Sequence, residues 1–211
     1  MNRKEWLKER MKGIGGSEAS AVIGQNNFMS NQVLWMLKTG RMEAKDISNL
    51  DFVKYGIDAE APHRELFALD YPQYKVSHDE NLSEQHHKYP FIRASLDGKL
   101  IEKKTGRKGM LEIKTTNLMN GGQWRQWDKK IPQNYFCQVL HCMNVTQSEF
   151  AVLRASLKSV YDEEVKIEIK HYHIERSDVQ DDIDFLEKKV IHFWNEYVLK
   201  DIEPPLILPQ I

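Results

Sequence analysis

Ser95-Leu96-Asp97-Gly98-Lys99 and, further on, Leu111-Glu112-Ile113-Lys114-Thr115 decide how this chain is read. The second stretch alternates. In a strand, Glu112 and Lys114 project from one face and Thr116 continues it, while Leu111 and Ile113 point to the opposite, packed face. The first stretch follows the apolar Phe91-Ile92-Arg93-Ala94, and Asp97-Gly98 suits a tight turn. A hairpin there, with Lys99–Ile101 as the short returning partner, sets Asp97 beside the Glu112 strand at the edge of a core.

Working outward, Tyr74–Val76, Phe150–Leu153 and Val165–Ile169 read as further strands. A helix follows Pro132, with Phe136, Val139, Leu140 and Met143 at helical spacing. The last long helix is expected from Val179 to Leu199. Upstream, Trp6, Leu7 and Met11 suggest a short helix. Ser17 is the expected cap of another over Glu18–Ile23, ended by Gly24. Ser30 caps a third, with Val33, Leu34 and Leu37 as its stripe and Gly40 as its stop. A fourth is expected after Ser48 toward Leu69, with a kink or break at Pro62. Three to five strands with helices on both sides make an α/β (α+β) fold around a central mixed sheet. The expected organisation is one domain over 1–211: residues 1–70 mainly helical, 71–172 the sheet core, and 173–211 a C-terminal helix and tail. The apolar tail Leu206-Ile207-Leu208-Pro209 is expected to dock on its own domain or on a neighbouring subunit.

The chain has 211 residues, 41% hydrophobic and 29% charged, which fits a globule able to bury a core. No apolar run is long enough to span a membrane, and Met1-Asn2-Arg3-Lys4-Glu5 opens no secretory signal. The two cysteines, Cys137 and Cys142, form neither a disulfide framework nor a cluster site. A bacterial cytoplasm is the expected location. The formal net charge is −1, but it is unevenly spread. Residues 1–45 hold eight Lys/Arg against four acids and residues 99–130 nine against three, whereas from Tyr161 onward thirteen acids face six bases. Such a molecule can turn a positive face to a polyanion.

Hard oxygen donors on Asp97 and Glu112, with the backbone carbonyl of Ile113 between the polar side chains, suit Mg²⁺ or Mn²⁺. A cation held there lowers the pKa of attached water and neutralises a scissile phosphate, and Lys114 can position the water. These are the elements of a metal-dependent nuclease. Alone, Glu112 and Lys114 also read as a surface ion pair. Glu60, in Gly56-Ile57-Asp58-Ala59-Glu60, can reach the metal directly or through water. It stands four residues before Arg64 and equally suits an i,i+4 ion pair.

Arg10-Met11-Lys12-Gly13-Ile14-Gly15-Gly16-Ser17 places a basic residue before a glycine turn and a helix start, a combination able to hold phosphate through Arg10 and Ser17. Arg93 is a second phosphate candidate, equally readable as a salt-bridge former. Gln138, with Tyr135 nearly a turn earlier, can point into the same cleft. Trp124 and Trp127, among Arg and Lys, can stack on frayed bases or anchor a loop.

Taken in order, Trp6…Arg10…Gly13-Ile14…Ser17, Gly56…Glu60, Ser95-Leu96-Asp97-Gly98, Glu112-Ile113-Lys114 and Gln138 resemble a phage-type alkaline exonuclease of the YqaJ-like viral recombinase family, within the PD-(D/E)xK nuclease superfamily. The resemblance implies a restriction-endonuclease-like core and makes Asp97, Glu112, Lys114, Glu60 and Gln138 catalytic. Arg10, helped by Ser17, then grips a terminal 5′-phosphate. It further implies two Mg²⁺ ions, 5′-to-3′ degradation of one strand of linear double-stranded DNA, a 3′ overhang passed to a single-strand annealing protein, and a ring-shaped homotrimer. Leu96 stands where the superfamily has proline. Iron–sulfur clusters, found in cysteine-bearing relatives, are left out by the two cysteines. Rival readings are a restriction-like or junction-resolving endonuclease, a non-catalytic DNA-binding recombination scaffold, and a hydrolase of small phosphoesters.

Overall fold

The computed structural model describes residues 9–79, 83–162 and 164–208; Trp6 and Leu7, expected to begin the first helix, lie outside them. The strands are β1 (Tyr74–Ser77), β2 (Glu84–Gln85), β3 (Arg93–Ala94), β4 (Gly98–Glu102), β5 (Lys108–Asn117), β6 (Phe150–Tyr161) and β7 (Glu164–Glu175). The helices are α1 (Gly16–Val22), α2 (Asn31–Lys38), α3 (Asp51–Asp70), α4 (Gly121–Gln126), α5 (Gln133–Thr146) and α6 (Arg176–Phe193), which passes into a π turn at Trp194–Val198. Five strands form one sheet in the order β1-β4-β5-β6-β7, and β2 pairs with β3 apart from it. β5 and β6 run parallel while the other neighbours are antiparallel, so the sheet is mixed.

Alternation along β5 sorts its side chains between two cores. Leu111 and Ile113 pack with Leu100, Phe150, Val152 and Phe67 of α3. Met110, on the other face, joins Leu153, Ala155 and Leu157 of β6, Val139, Leu140 and Met143 of α5, and Ile183, Leu186 and Val190 of α6. Both faces of β5 are therefore covered, and Glu112, on the α5 face, is only 1% exposed.

The expected hairpin around Asp97 does not form. β3 pairs with β2, and Ile92 bridges Ile14 of the N-terminal segment, while β4 pairs with β1 and β5. Asp97 lies in the bend by which the chain leaves one sheet for the other. The β4–β5 ladder stops at Gly98↔Leu111, whereas β5–β6 continues to Asn117↔Lys158. The second half of β5 thus loses its β4-side neighbour where the acids stand. Pro62 does not end α3, which continues to Asp70. The proline is exposed, so the carbonyl deprived of a partner can turn to water. The hairpin of β6 and β7 is longer than expected: β6 continues past Leu153 to Tyr161, and β7 past Ile169 to Glu175.

The tail folds back on its own chain. Asn31 of α2 donates from Nδ2 to the Pro205 carbonyl (2.8 Å) and accepts at Oδ1 from the Ile207 amide (3.0 Å), and Gln32 donates to the Pro204 carbonyl (3.1 Å). Among the described residues no helix is long and apolar enough to cross a membrane.

Candidate active site

Just before β4 begins, where its ladder with β5 stops, Asp97 substitutes for the missing strand. Its Oδ2 accepts the Ile113 amide at 2.7 Å, the bond a neighbouring carbonyl would otherwise make. The N–H and C=O of one strand residue leave toward the same side, so the Ile113 carbonyl is directed to the edge that Asp97 occupies. On the α5 face, Glu112 Oε1 accepts from Gln138 Nε2 at 2.6 Å and from Lys114 Nζ at 2.7 Å. Its second oxygen, Oε2, is buried and has no hydrogen-bond partner among the described residues. Lys114 lies 5.2 Å from the centre of the Tyr135 ring, which faces its ammonium.

Burial, and then the charge of Glu112, push the Asp97 carboxyl well above its ordinary range; Lys114 and the Ile113 amide only partly offset them. Burial works against the charge on Lys114, but Glu112 and Asp97 outweigh it and raise its pKa. Lys114 is therefore a fixed ammonium here, suited to orienting an oxygen rather than taking a proton.

A cleft of about 600 Å³ opens in front of these groups. Asp97 and Gln138 reach it directly, while Glu112 and Lys114 stand behind them. Arg10, Ser17, Glu60, Arg64 and Arg93 line its other sides. Glu60 is ion-paired with Arg64 at 3.0 Å, and Arg64 also donates to the Asp97 carbonyl at 2.6 Å. The third carboxylate thus borders the cleft, tied to an arginine that braces the Asp97 bend. Arg93 is held by Glu9 at 2.9 Å.

Ser17 is not the cap of α1. Gly15 occupies that position, and its amide is taken by the Glu18 carboxylate at 2.9 Å. Freed from capping, the Ser17 hydroxyl accepts from Arg10 at 3.3 Å. The neighbouring glycines serve close approach. A Cβ at Gly13 would stand 2.1 Å from the Phe91 carbonyl oxygen, and one at Gly16 would stand 2.8 Å from Cys142 Sγ. They let the N-terminal segment lie against β3 and α5, which brings Arg10 to the cleft.

Sequence reasoning missed what holds Arg10. Glu18 accepts from Arg10 at one oxygen and from Lys38 at the other, both at 2.8 Å, and Lys38 also donates to the Arg10 carbonyl at 2.7 Å. Lys38, at the end of α2, keeps only 2% of its side chain exposed. Although burial alone raises the Glu18 pKa, Arg10 and Lys38 together bring it below the ordinary value. The one sequence signal was Glu18 three residues after Gly15, a capping-box spacing. Trp127 is buried and stacks on Tyr135 at 5.5 Å, which makes it a loop anchor.

Among the described residues, no three His, Cys, Asp or Glu side chains cluster closely enough to hold a metal. The donors nonetheless fit Mg²⁺, which is commonly held by one or two carboxylates with water and substrate phosphate completing the shell. Glu112 Oε2 lacks a partner, and two carboxylates share a single ammonium.

A family model described as YqaJ-like viral recombinase domain matches residues 5–149. The Bacillus subtilis (strain 168) protein YqaJ is 35% identical over 211 residues, covering 98% of this chain; the chain spans 60% of that relative's length. Among solved structures, the alkaline exonuclease LHK-Exo from Laribacter hongkongensis superimposes with a TM-score of 0.67 at 18% identity, covering 95% of this chain and 94% of the other. LHK-Exo in complex with dAMP gives a TM-score of 0.61 at 16% identity over the same shares. These likenesses establish the alkaline-exonuclease, restriction-endonuclease-like fold.

Proposed function

The chain belongs to the YqaJ-like viral recombinase family, and from that premise we propose that it is a divalent-cation-dependent nuclease acting on linear double-stranded DNA. The observation that carries this reading is the buried Glu112, with Gln138 and Lys114 on one oxygen and no partner for the other, beside Asp97 at the floor of an arginine-lined cleft. Asp97, Glu112 and the Ile113 carbonyl would hold Mg²⁺, or Mn²⁺ in its place. The cation, when bound, supplies an acidified water and charge neutralisation at the phosphate. Lys114 orients the attacking water and offsets negative charge on the phosphate. Gln138 keeps Glu112 aimed, and Arg64 fixes the bend that presents Asp97. A second ion would call on Glu60, which must then release Arg64.

The finer reading is an exonuclease running 5′ to 3′ on one strand and leaving a 3′ tail for a single-strand annealing protein. Arg10, with Ser17, takes the terminal 5′-phosphate, Arg93 and Tyr135 contact the DNA nearby, and a ring of three copies retains the duplex. The position of Arg10 on the cleft wall supports an end-binding enzyme over an internal cutter. The test is digestion of end-labelled linear duplex and of closed circular DNA in Mg²⁺ and in EDTA. Mg²⁺-dependent loss of linear DNA alone is expected, with activity down about 10³-fold in Asp97→Ala and Glu112→Ala and DNA binding retained. Nicked circles would favour the endonuclease, and binding without hydrolysis the scaffold.

A further inference from the structure

β7 ends the sheet, and along Glu164–Glu175 its strand partner is β6. Near the β6–β7 turn, Val165, Ile167 and Ile169 are 57%, 51% and 37% exposed, three apolar side chains in succession on one face of an edge that no other described strand covers. Such an edge is a template for another strand, and the sequence specifies which one. Read about Ile167, the run from Glu164 to Lys170 complements itself in reverse. Glu164 stands opposite Lys170, Val165 opposite Ile169, Lys166 opposite Glu168, and Ile167 opposite its own copy.

Among close registers that keep the apolar side chains on a common face, this one opposes the most unlike charges. Centring the pairing on Lys166 sets Lys166 against itself and Glu164 against Glu168. Centring it on Glu168 sets Glu168 against itself and Lys166 against Lys170. Directly opposed like charges destabilise a strand pair, whereas opposite charges and β-branched pairs stabilise it. Lys170 lies 3.4 Å from Glu168 of its own strand, which places those two charges on the same face, away from the apolar one.

We propose that two copies of this chain join edge to edge through β7, antiparallel about a two-fold axis at Ile167, so that one sheet continues into the next. The contact is isologous and closes on two copies. It lies two strands from β5 and leaves the cleft open. The ring of three proposed above must use another surface, so the expected assembly is a pair of rings joined through β7, with an even number of copies.

Sedimentation of the full chain without DNA tests this independently of the nuclease reading. The wild type should show even-numbered mass, and Lys166→Glu should weaken self-association about tenfold by placing Glu against Glu168 twice. Glu168→Lys should do the same. The double exchange Lys166→Glu/Glu168→Lys should restore association, because the charges complement again. Matching thermal melts by circular dichroism separate lost association from lost folding. A wild type sedimenting only as monomer or trimer would overturn the proposal. So would single reversals without effect, or a double exchange that fails to recover.

Discussion

Two ion clusters flank one cleft, and a buried carboxylate is treated differently in each. Around β5, the carboxylates of Asp97 and Glu112 share one ammonium, Lys114. Around α1, the cations Arg10 and Lys38 share one carboxylate, Glu18. The same functional group responds oppositely in the two places: the Asp97 carboxyl is pushed up by burial and Glu112, while that of Glu18 is brought down by its two cations despite burial. In the proposed nuclease, a metal ion would join the first cluster and a DNA phosphate would meet Arg10 at the second.

The strongest way to break this contrast is at Lys38. Its replacement by Met leaves Glu18 buried with Arg10 alone, and breaking a buried pair is costly. Denaturant unfolding of Lys38→Met should show a loss of about 3 kcal/mol, the low end for such pairs because Arg10 remains. A loss within error would mean that the α1 cluster holds nothing in place.

A nearly equal effect is expected from Mg²⁺ on the acid side. At a hundredfold excess over Kd, binding should stabilise the wild type by about 2.7 kcal/mol. Asp97→Asn should lose most of that gain. The pH dependence follows from the raised Asp97 pKa. A carboxyl raised in the folded state stabilises the cation-free fold at low pH, and that contribution fades as pH climbs through the raised value. The cation needs the ionised form, so the Mg²⁺-dependent rise in Tm should grow with pH and shrink as pH falls. Melting curves with and without Mg²⁺ across pH would check both signs.

The smallest effect sharpens the comparison at Arg10. Charge-assisted hydrogen bonds to a terminal phosphate are worth about 2 kcal/mol, roughly thirtyfold in rate. Arg10→Ala should therefore slow digestion of 5′-phosphorylated duplex by about that factor and leave 5′-hydroxyl ends nearly unchanged. Equal slowing of both would remove Arg10 from end recognition.

How legible these clusters were depended on sequence distance. Glu112 and Lys114 were readable from the period of a single strand, as were Ser30 and Gly40 at the ends of α2, because each signal lies within a few residues. Glu18 and Lys38 are twenty residues apart, and neither shows locally that it will be buried against the other. Gly13 and Gly16 looked like a phosphate loop because the atoms that exclude their side chains, the Phe91 carbonyl and Cys142 Sγ, belong to distant elements. The Asp97-Gly98 turn signal was real, but turn chemistry says that a chain bends, not which strand it meets next. Glu60 fits an i,i+4 pair by spacing, and only the fold placed that pair against the Asp97 carbonyl.

Asn31 grips the backbone around Ile207, a partner 176 residues later in the chain, and the helix it begins ends in Lys38. During synthesis that clasp must wait until residue 207 has left the ribosome tunnel. The wall that carries Arg10 is thus secured only after the segment around Ile207 has emerged, well after α1 and α2 themselves.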